Sequence, residues 1–154
     1  MSSLSLQTQY LGLNLPHPLV ASASPLTGKA ESLRQLEDAG AAAVVLPSVF
    51  EEQLEQEKSF MDHYLTAGSD ALTEAQSFFP DPDLFEYKSD KALERVREAK
   101  EALDIPVIAS LNGATPGGWT SFARNLEEAG ADALELNLYE VAADPSVSGH
   151  EVEE

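Results

Sequence analysis

A six-residue segment recurs with a single Asp-to-Glu change, and its two copies constrain the fold more than any other feature of the chain. Leu36-Glu37-Asp38-Ala39-Gly40-Ala41 runs into the apolar segment Ala42–Leu46. Ninety residues later, Leu126-Glu127-Glu128-Ala129-Gly130-Ala131 runs into Ala133–Leu138. Each copy reads as a helix end, a glycine stop and a short strand. Glycine suits the left-handed position just past a helix C-terminus. Strands alternating with helices build a parallel sheet, so a repeated unit of this kind points to a barrel-type α/β protein.

Length and composition bound that reading. A chain of 154 residues with 43% apolar content suits a single domain spanning 1–154. A complete eight-stranded α/β barrel needs about 250 residues, so the expectation is about half of one. Cysteine is absent, which excludes a disulfide framework, thiolate metal ligands and a thiol nucleophile. No apolar run approaches the roughly 20 residues of a membrane span, and no basic segment followed by an apolar run marks a signal peptide. The expectation is a cytoplasmic protein. Nine Lys and Arg against 27 Asp and Glu give a net charge of −18, which repels nucleic acid and anionic membranes.

Along the chain, Leu4–Asn14 reads as a β-hairpin ended by Pro16 and Pro18. Leu19–Ala23 is the first core strand, Lys29–Ala39 the first helix, and Ala42–Leu46 the second strand. Leu33 and Leu36 form the apolar side of that helix, with Glu31, Arg34, Glu37 and Asp38 facing out. A long connection follows Pro47. Phe50, Leu54, Met61 and Leu65 keep helical spacing there, so it reads as a helical insert, with a rigid turn at Phe78–Pro82. Ser89–Leu103 is the second full helix, with the stripe Ala92, Val96, Ala99 and Leu103. Pro106–Leu111, Trp119–Ala129 and Asp132–Leu138 complete the series as strand, helix and strand. The segment 139–154 is polar and acidic, a candidate for partial disorder. The fold class is α/β of TIM-barrel type: four βα units after a hairpin, with an insert after the second strand.

In such folds ligands sit at the carboxyl ends of the strands. Alternation places Leu134, Leu136 and Leu138 on one face of the last strand, and Ala133, Glu135 and Asn137 on the other. The leucines should pack under helices, leaving Glu135 and Asn137 inward, either as a functional pair or as a polar layer tying strands together. Asn112 offers both donors and acceptors to a heterocycle edge, or else forms a turn ahead of Gly113. Ser22 and Ser24 would let a flat ring approach the backbone, or would fill a tight barrel layer. The glycines of Gly113–Gly118 have neither dinucleotide nor P-loop spacing. His17, His63 and His150 are scattered and suggest no metal site, and Trp119 reads as packing.

These strand ends together carry a resemblance. The run from Tyr10 to Leu13 and from Pro18 to Leu26, with Leu36–Ser48, Ile105–Gly113 and Ala129–Leu138, resembles dihydroorotate dehydrogenase-like flavoproteins. The resemblance implies a (β/α)8 barrel that holds FMN at its strand ends and oxidises dihydroorotate to orotate in pyrimidine biosynthesis. By position, Ser22, Ala23 and Ser24 match first-strand contacts to the flavin, and Ser48 a serine beside it. Asn112 falls near the flavin, and Asn137 matches the asparagine that touches flavin and substrate.

The chain departs from the family at three points. Pro47 stands where the family commonly has a lysine. Glu140 occupies the loop position of the catalytic cysteine or serine base, where it is either a replacement base or a solvated acid. The second half of the barrel, which by resemblance supplies the flavin phosphate site, is missing, so the chain alone is expected to bind FMN weakly or not at all. Unpaired edges at the first and fourth strands suggest a homodimer. Three readings follow: an FMN-dependent oxidoreductase represented by its first half, a non-catalytic half-barrel acting by association, and a flavin-free lyase or isomerase using Glu135.

Overall fold

The structure is a computed structural model that describes residues 5–57, 59, 88–115, 117–138 and 145–153. It opens with an antiparallel hairpin, β1 (Thr8–Tyr10) and β2 (Leu13–Leu15), pairing Tyr10 with Leu13 across Leu11-Gly12. Both turn residues have positive φ, 51° and 80°, the combination that lets a two-residue turn match the strand twist.

A parallel sheet follows. Its strands are β3 (Val20–Ala21), β4 (Ala43–Val45), β5 (Val49–Phe50), β6 (Val107–Gly113) and β7 (Ala133–Leu138). β4 and β5 lie end to end along one side of β6, and β7 takes the other side. The spatial order is therefore β3, then β4 with β5, then β6, then β7, and all pairings are parallel. The four expected strands are present in the expected order. β5 is additional, and β6 runs through Asn112 and Gly113, which the sequence reading placed in the exit loop.

Helices α1 (Ala30–Asp38), α2 (Lys88–Ala102) and α3 (Thr120–Glu128) pack on one face of this sheet. Their buried stripes, including Leu33, Val96, Ala99 and Leu126, meet Val44, Val107, Ala109 and Leu111 in one core. Leu134 and Leu136 pack against it, as alternation predicts. Leu138 does not, and 68% of its surface is exposed at the end of the outer strand. Residues 51–57 are helical and include Leu54, whereas Phe50, expected to share that helical spacing, ends β5. Met61, Leu65 and the Phe78–Pro82 turn lie outside the described residues. A short helix, α4 (Gly149–Glu153), lies near the C-terminus.

The opposite face of the sheet carries a second, smaller core. Leu15 from the hairpin packs with Ala42, Ala43, Val45 and Ile108, flanked by Leu13, Val20 and Ala133. These residues gather around the strand beginnings, so the hairpin covers that end of the inner face. The carboxyl ends of the strands are left for other work.

Both copies of the repeat close in the same way. Gly40 has φ 94° and Gly130 φ 105°. The Ala41 N–H donates to Leu36 O at 3.0 Å, and the Ala131 N–H to Leu126 O at 3.2 Å. The glycine N–H groups donate to Glu37 O and Glu127 O at 2.8 and 2.9 Å. These are the paired bonds of a Schellman motif, which needs a residue free to adopt positive φ.

Candidate functional site

The site is built from one side of the sheet at its carboxyl end. Register fixes most of it. Ser110 on β6 is level with Glu135 on β7, and Asn112 is level with Asn137. In a parallel pair, level residues share a face. Ile108, two residues before Ser110, packs in the inner core, so Ser110, Glu135, Asn112 and Asn137 all belong to the inner face. The inward placement of Glu135 and Asn137 expected from alternation holds.

Ser48 reaches the same face through an irregularity. Between the pairs Val45↔Ile108 and Val49↔Leu111, the β4–β5 side spends one residue more than β6. Such an insertion is the hallmark of a bulge, and it shifts side-chain parity by one. Val45 faces inward, and simple alternation would send Val49 inward too. Instead Val49 joins the outer core with the helices, while Phe50 comes level with Asn112 and Ser48 meets Ser110. Pro47 sits within the extra step, where its missing N–H is no loss to the ladder. The residue that departs from the family pattern thus lies where the strand is interrupted.

Two hydrogen-bonded groups result. The Ser48 and Ser110 hydroxyl oxygens are 2.7 Å apart, and the Ser110 hydroxyl donates to Glu135 Oε1 at 2.8 Å. Ser110 is buried, so its two partners satisfy a hydroxyl that would otherwise be costly to bury. Asn137 Nδ2 donates to Asn112 Oδ1 at 3.0 Å. The structure therefore joins Ser48 to Ser110 and Glu135, and Asn112 to Asn137, as two groups on the inner face.

The first-strand residues are distributed differently. Exposed Ser22 lines a cavity of about 520 Å3 whose walls include Tyr10, Val20, Val45, Ile108 and Glu135. Ala23 packs against the inner core. Ser24 is engaged in a turn: its N–H donates to Thr27 Oγ1 at 3.2 Å, and its carbonyl accepts from the Thr27 N–H and hydroxyl at 3.1 and 3.0 Å. Thr27 is fully buried beneath it. Glu140 lies outside the described residues.

Two residues of the site escaped the sequence reading. Ser110 carried a signal, as a polar residue inside an apolar strand and on the same parity as Asn112. Glu51 carried none, because it opens a run of acids. Its carboxylate is nevertheless buried, with 2% of the residue exposed. It accepts from the Ala114 and Thr115 N–H groups at 2.6 and 3.0 Å, and from the Thr115 hydroxyl. Burial on its own would raise the pKa of Glu51. The bonds from Thr115 and Ala114 outweigh it and leave the carboxyl below the usual range. Glu51 thereby ties down the loop leaving β6.

Glycine makes that loop possible. A β-carbon at Gly113 would lie 2.7 Å from Trp119 Cδ1, and one at Gly118 would collide with Glu51 and Thr115. Trp119 itself packs against the outer core, the structural role the sequence suggested.

Two amides, two hydroxyls and a carboxylate on one side of a sheet suit the polar edge of a planar heterocycle. They offer the kinds of donor and acceptor that the ring of FMN would need. Its phosphate has no match among them, since none of Ser22, Ser48, Ser110, Asn112, Glu135 and Asn137 carries a positive charge.

Comparison with known proteins shows what the chain as a whole is similar to. The chain is 33% identical over 127 residues to the catalytic subunit of dihydroorotate dehydrogenase B (NAD(+)) of Methanocella arvoryzae, covering 82% of this chain and 38% of that protein. It is 31% identical over 133 residues to the corresponding subunit of Pyrococcus abyssi, covering 86% and 40%. It is 30% identical over 137 residues to a protein named dihydroorotate dehydrogenase A (fumarate) in Aeropyrum pernix, covering 89% and 42%. The chain is similar to part of proteins named dihydroorotate dehydrogenase. The similarity runs through most of its length, yet the chain spans less than half of each of these relatives. No family model matches it. Among the described residues, no helix is long and apolar enough to cross a membrane.

Proposed function

We propose that the chain is the first half of an FMN-dependent oxidoreductase of the dihydroorotate dehydrogenase type, acting on a CH–CH bond of dihydroorotate or a related small molecule. The observation that carries this reading is that Asn112 and Asn137 lie level and hydrogen-bonded on the inner face, with Ser48 on the same face through Ser110, at the strand ends where the family is expected to hold its flavin. The single domain 1–154 is then four βα units of a (β/α)8 barrel, ending in the acidic segment 139–154. FMN, when bound, would supply the redox chemistry.

The residues have distinct parts in this reading. Asn112 and Asn137 orient the polar edge of the ring and the substrate. Ser48 borders the cofactor. Ser22, Ala23 and Ser24 shape the first-strand wall, with Ser22 and Ala23 leaving room for the ring and Ser24 held by its turn. Glu140 is the base position, and a carboxylate there needs a raised pKa to take a proton at neutral pH. The location is cytoplasmic, and no nucleic acid or membrane partner is expected from so acidic a chain.

Association is a second reading, favoured by a specific observation. β3 and β7 each pair on one side only among the described strands, and Leu19 and Leu138 are largely exposed. Open strand edges of this kind pair with other chains. Two copies joined as a homodimer, or this half joined to a separate second half, would complete a barrel. A half-barrel that only associates would do so without flavin.

Titration of FMN into the purified chain, followed by flavin fluorescence and sedimentation in one sample, separates the two. Saturable binding by an associated species, lost on Asn137→Ala, supports the flavin reading. Association with no saturable FMN binding favours the half-barrel that acts by association. A strict monomer that ignores FMN sinks both for the isolated chain.

A further inference from the structure

We propose that Glu135 is a positioning residue that fixes the hydrogen-bond polarity of Ser48 through Ser110. Ser48 is thereby an obligate acceptor, and the group seated against it must bring an N–H or O–H of its own. The inference deepens the flavin reading and rests on it for the location of the ligand.

The argument follows from counting hydrogens. An ionised carboxylate only accepts, whereas a serine hydroxyl has one hydrogen to give. Ser110 gives its hydrogen to Glu135 at 2.8 Å. The 2.7 Å contact between Ser48 and Ser110 permits either direction by itself. With the Ser110 hydrogen already committed, only one direction remains: Ser48 donates to Ser110. The Ser48 hydrogen is then spent as well, and its remaining lone pairs are all it can offer to a ligand. Burial of Ser110 strengthens the case, because water has little access to relieve it of this assignment.

The neighbouring amides extend the pattern. Asn112 has its carbonyl oxygen engaged by Asn137, so its NH2 group remains to donate. Asn137 retains its carbonyl oxygen and one N–H. The inner face therefore offers acceptors at Ser48 and Asn137 and donors at Asn112 and Asn137. A planar imide edge, in which an N–H lies between two carbonyls, answers such a surface. A heterocycle methylated at that nitrogen does not.

The test uses the full chain labelled for NMR, with Glu135→Gln and Glu135→Leu variants. Glutamine keeps a carbonyl oxygen where the carboxylate accepted, and leucine removes the acceptor at similar volume. The proposal expects slowly exchanging hydroxyl protons on both serines in the wild type, with Ser110 coupled to the Glu135 carboxyl. Glu135→Gln should preserve both. Glu135→Leu should free the Ser110 hydrogen to turn toward Ser48, raising hydroxyl exchange about tenfold with no matching loss of melting temperature. A Ser48 hydroxyl that exchanges freely in the wild type, or that ignores Glu135→Leu, overturns the assignment.

FMN titrations of the same samples keep the two readings apart. Ordered hydroxyls with no FMN binding would remove the flavin and leave the polarity of Ser48 standing. FMN binding with freely exchanging hydroxyls would do the reverse.

Discussion

The two copies of the repeated segment close their helices with the same bonds yet live in different surroundings. After Gly40 the chain enters β4, whose residues Ala43, Val44 and Val45 are all buried between β3 and β6. After Gly130 it enters β7, which pairs only with β6 among the described strands and is half-buried to exposed throughout. The acids of the two copies differ as well. Glu37 accepts the backbone N–H groups of Asp104 and Ile105 at 2.8 and 3.1 Å, securing the turn between α2 and β6. Glu127, its counterpart, is exposed. Glu37 is half-buried rather than free in solvent, because α2 ends beside α1 and leaves two backbone donors that its carboxylate accepts. The cap is thus a local property of the six residues, whereas burial and partnership belong to the place each copy occupies in the sheet.

That comparison is most sharply broken in the strands. Val44→Asp places a charge in the outer core and should cost about 4 kcal/mol or more, enough to unfold a marginal domain. Leu136→Asp, on the outer face of the edge strand, should cost distinctly less. Urea denaturation of the two variants measures the difference, and equal losses would contradict the edge position of β7.

Glu51 should come next. Glu51→Ala removes the buried carboxylate that accepts from two loop N–H groups and a hydroxyl, at about 2–3 kcal/mol. The sign of its pH dependence follows from its lowered native pKa. The stabilisation is present above the unfolded carboxyl value and disappears as pH falls through the lowered native one. An acid titration of melting temperature should show a limb in wild type that Glu51→Gln flattens.

A smaller split is expected between the repeated acids. Glu37→Ala should destabilise by about 1–2 kcal/mol, because it orphans two backbone donors. Glu127→Ala should stay within about 0.5 kcal/mol. Thermal melts of the pair test whether position or sequence sets the role. The smallest contrast should be between the glycines themselves. Gly40→Ala and Gly130→Ala should each cost about 1 kcal/mol from positive φ alone. Neither position crowds a new β-carbon, the nearest neighbour being Lys100 Cγ at 3.6 Å from Gly130. A clear difference between the two would mean that the shared cap is not the whole of their common role.

Within the site, legibility followed the same division. Glu135 and Asn137 were assigned to the inner face because strand parity is a rule of period two. Asn112 was placed at the end of its strand because it follows the apolar run and precedes Gly113, although β6 runs on through it to Gly113. Ser48 could not be assigned by parity, since the extra residue around Pro47 appears only in the register against β6. Ser110 was visible as a polar residue in an apolar strand, but its partners lie 62 and 25 residues away in sequence. Glu51 looks like any other member of an acidic run until the loop after β6 folds over it.

The sequence by itself determined the alternation of helix and strand, the glycine caps, the apolar faces and the family resemblance. All of these depend on contacts within a few residues or on simple periodicity. Only the tertiary structure decided which of two equivalent strands is interior, which of two equivalent glutamates is a cap, and which serine meets which carboxylate. Those outcomes depend on register between distant segments, and a one-residue step in that register turns a side chain from the core to the site.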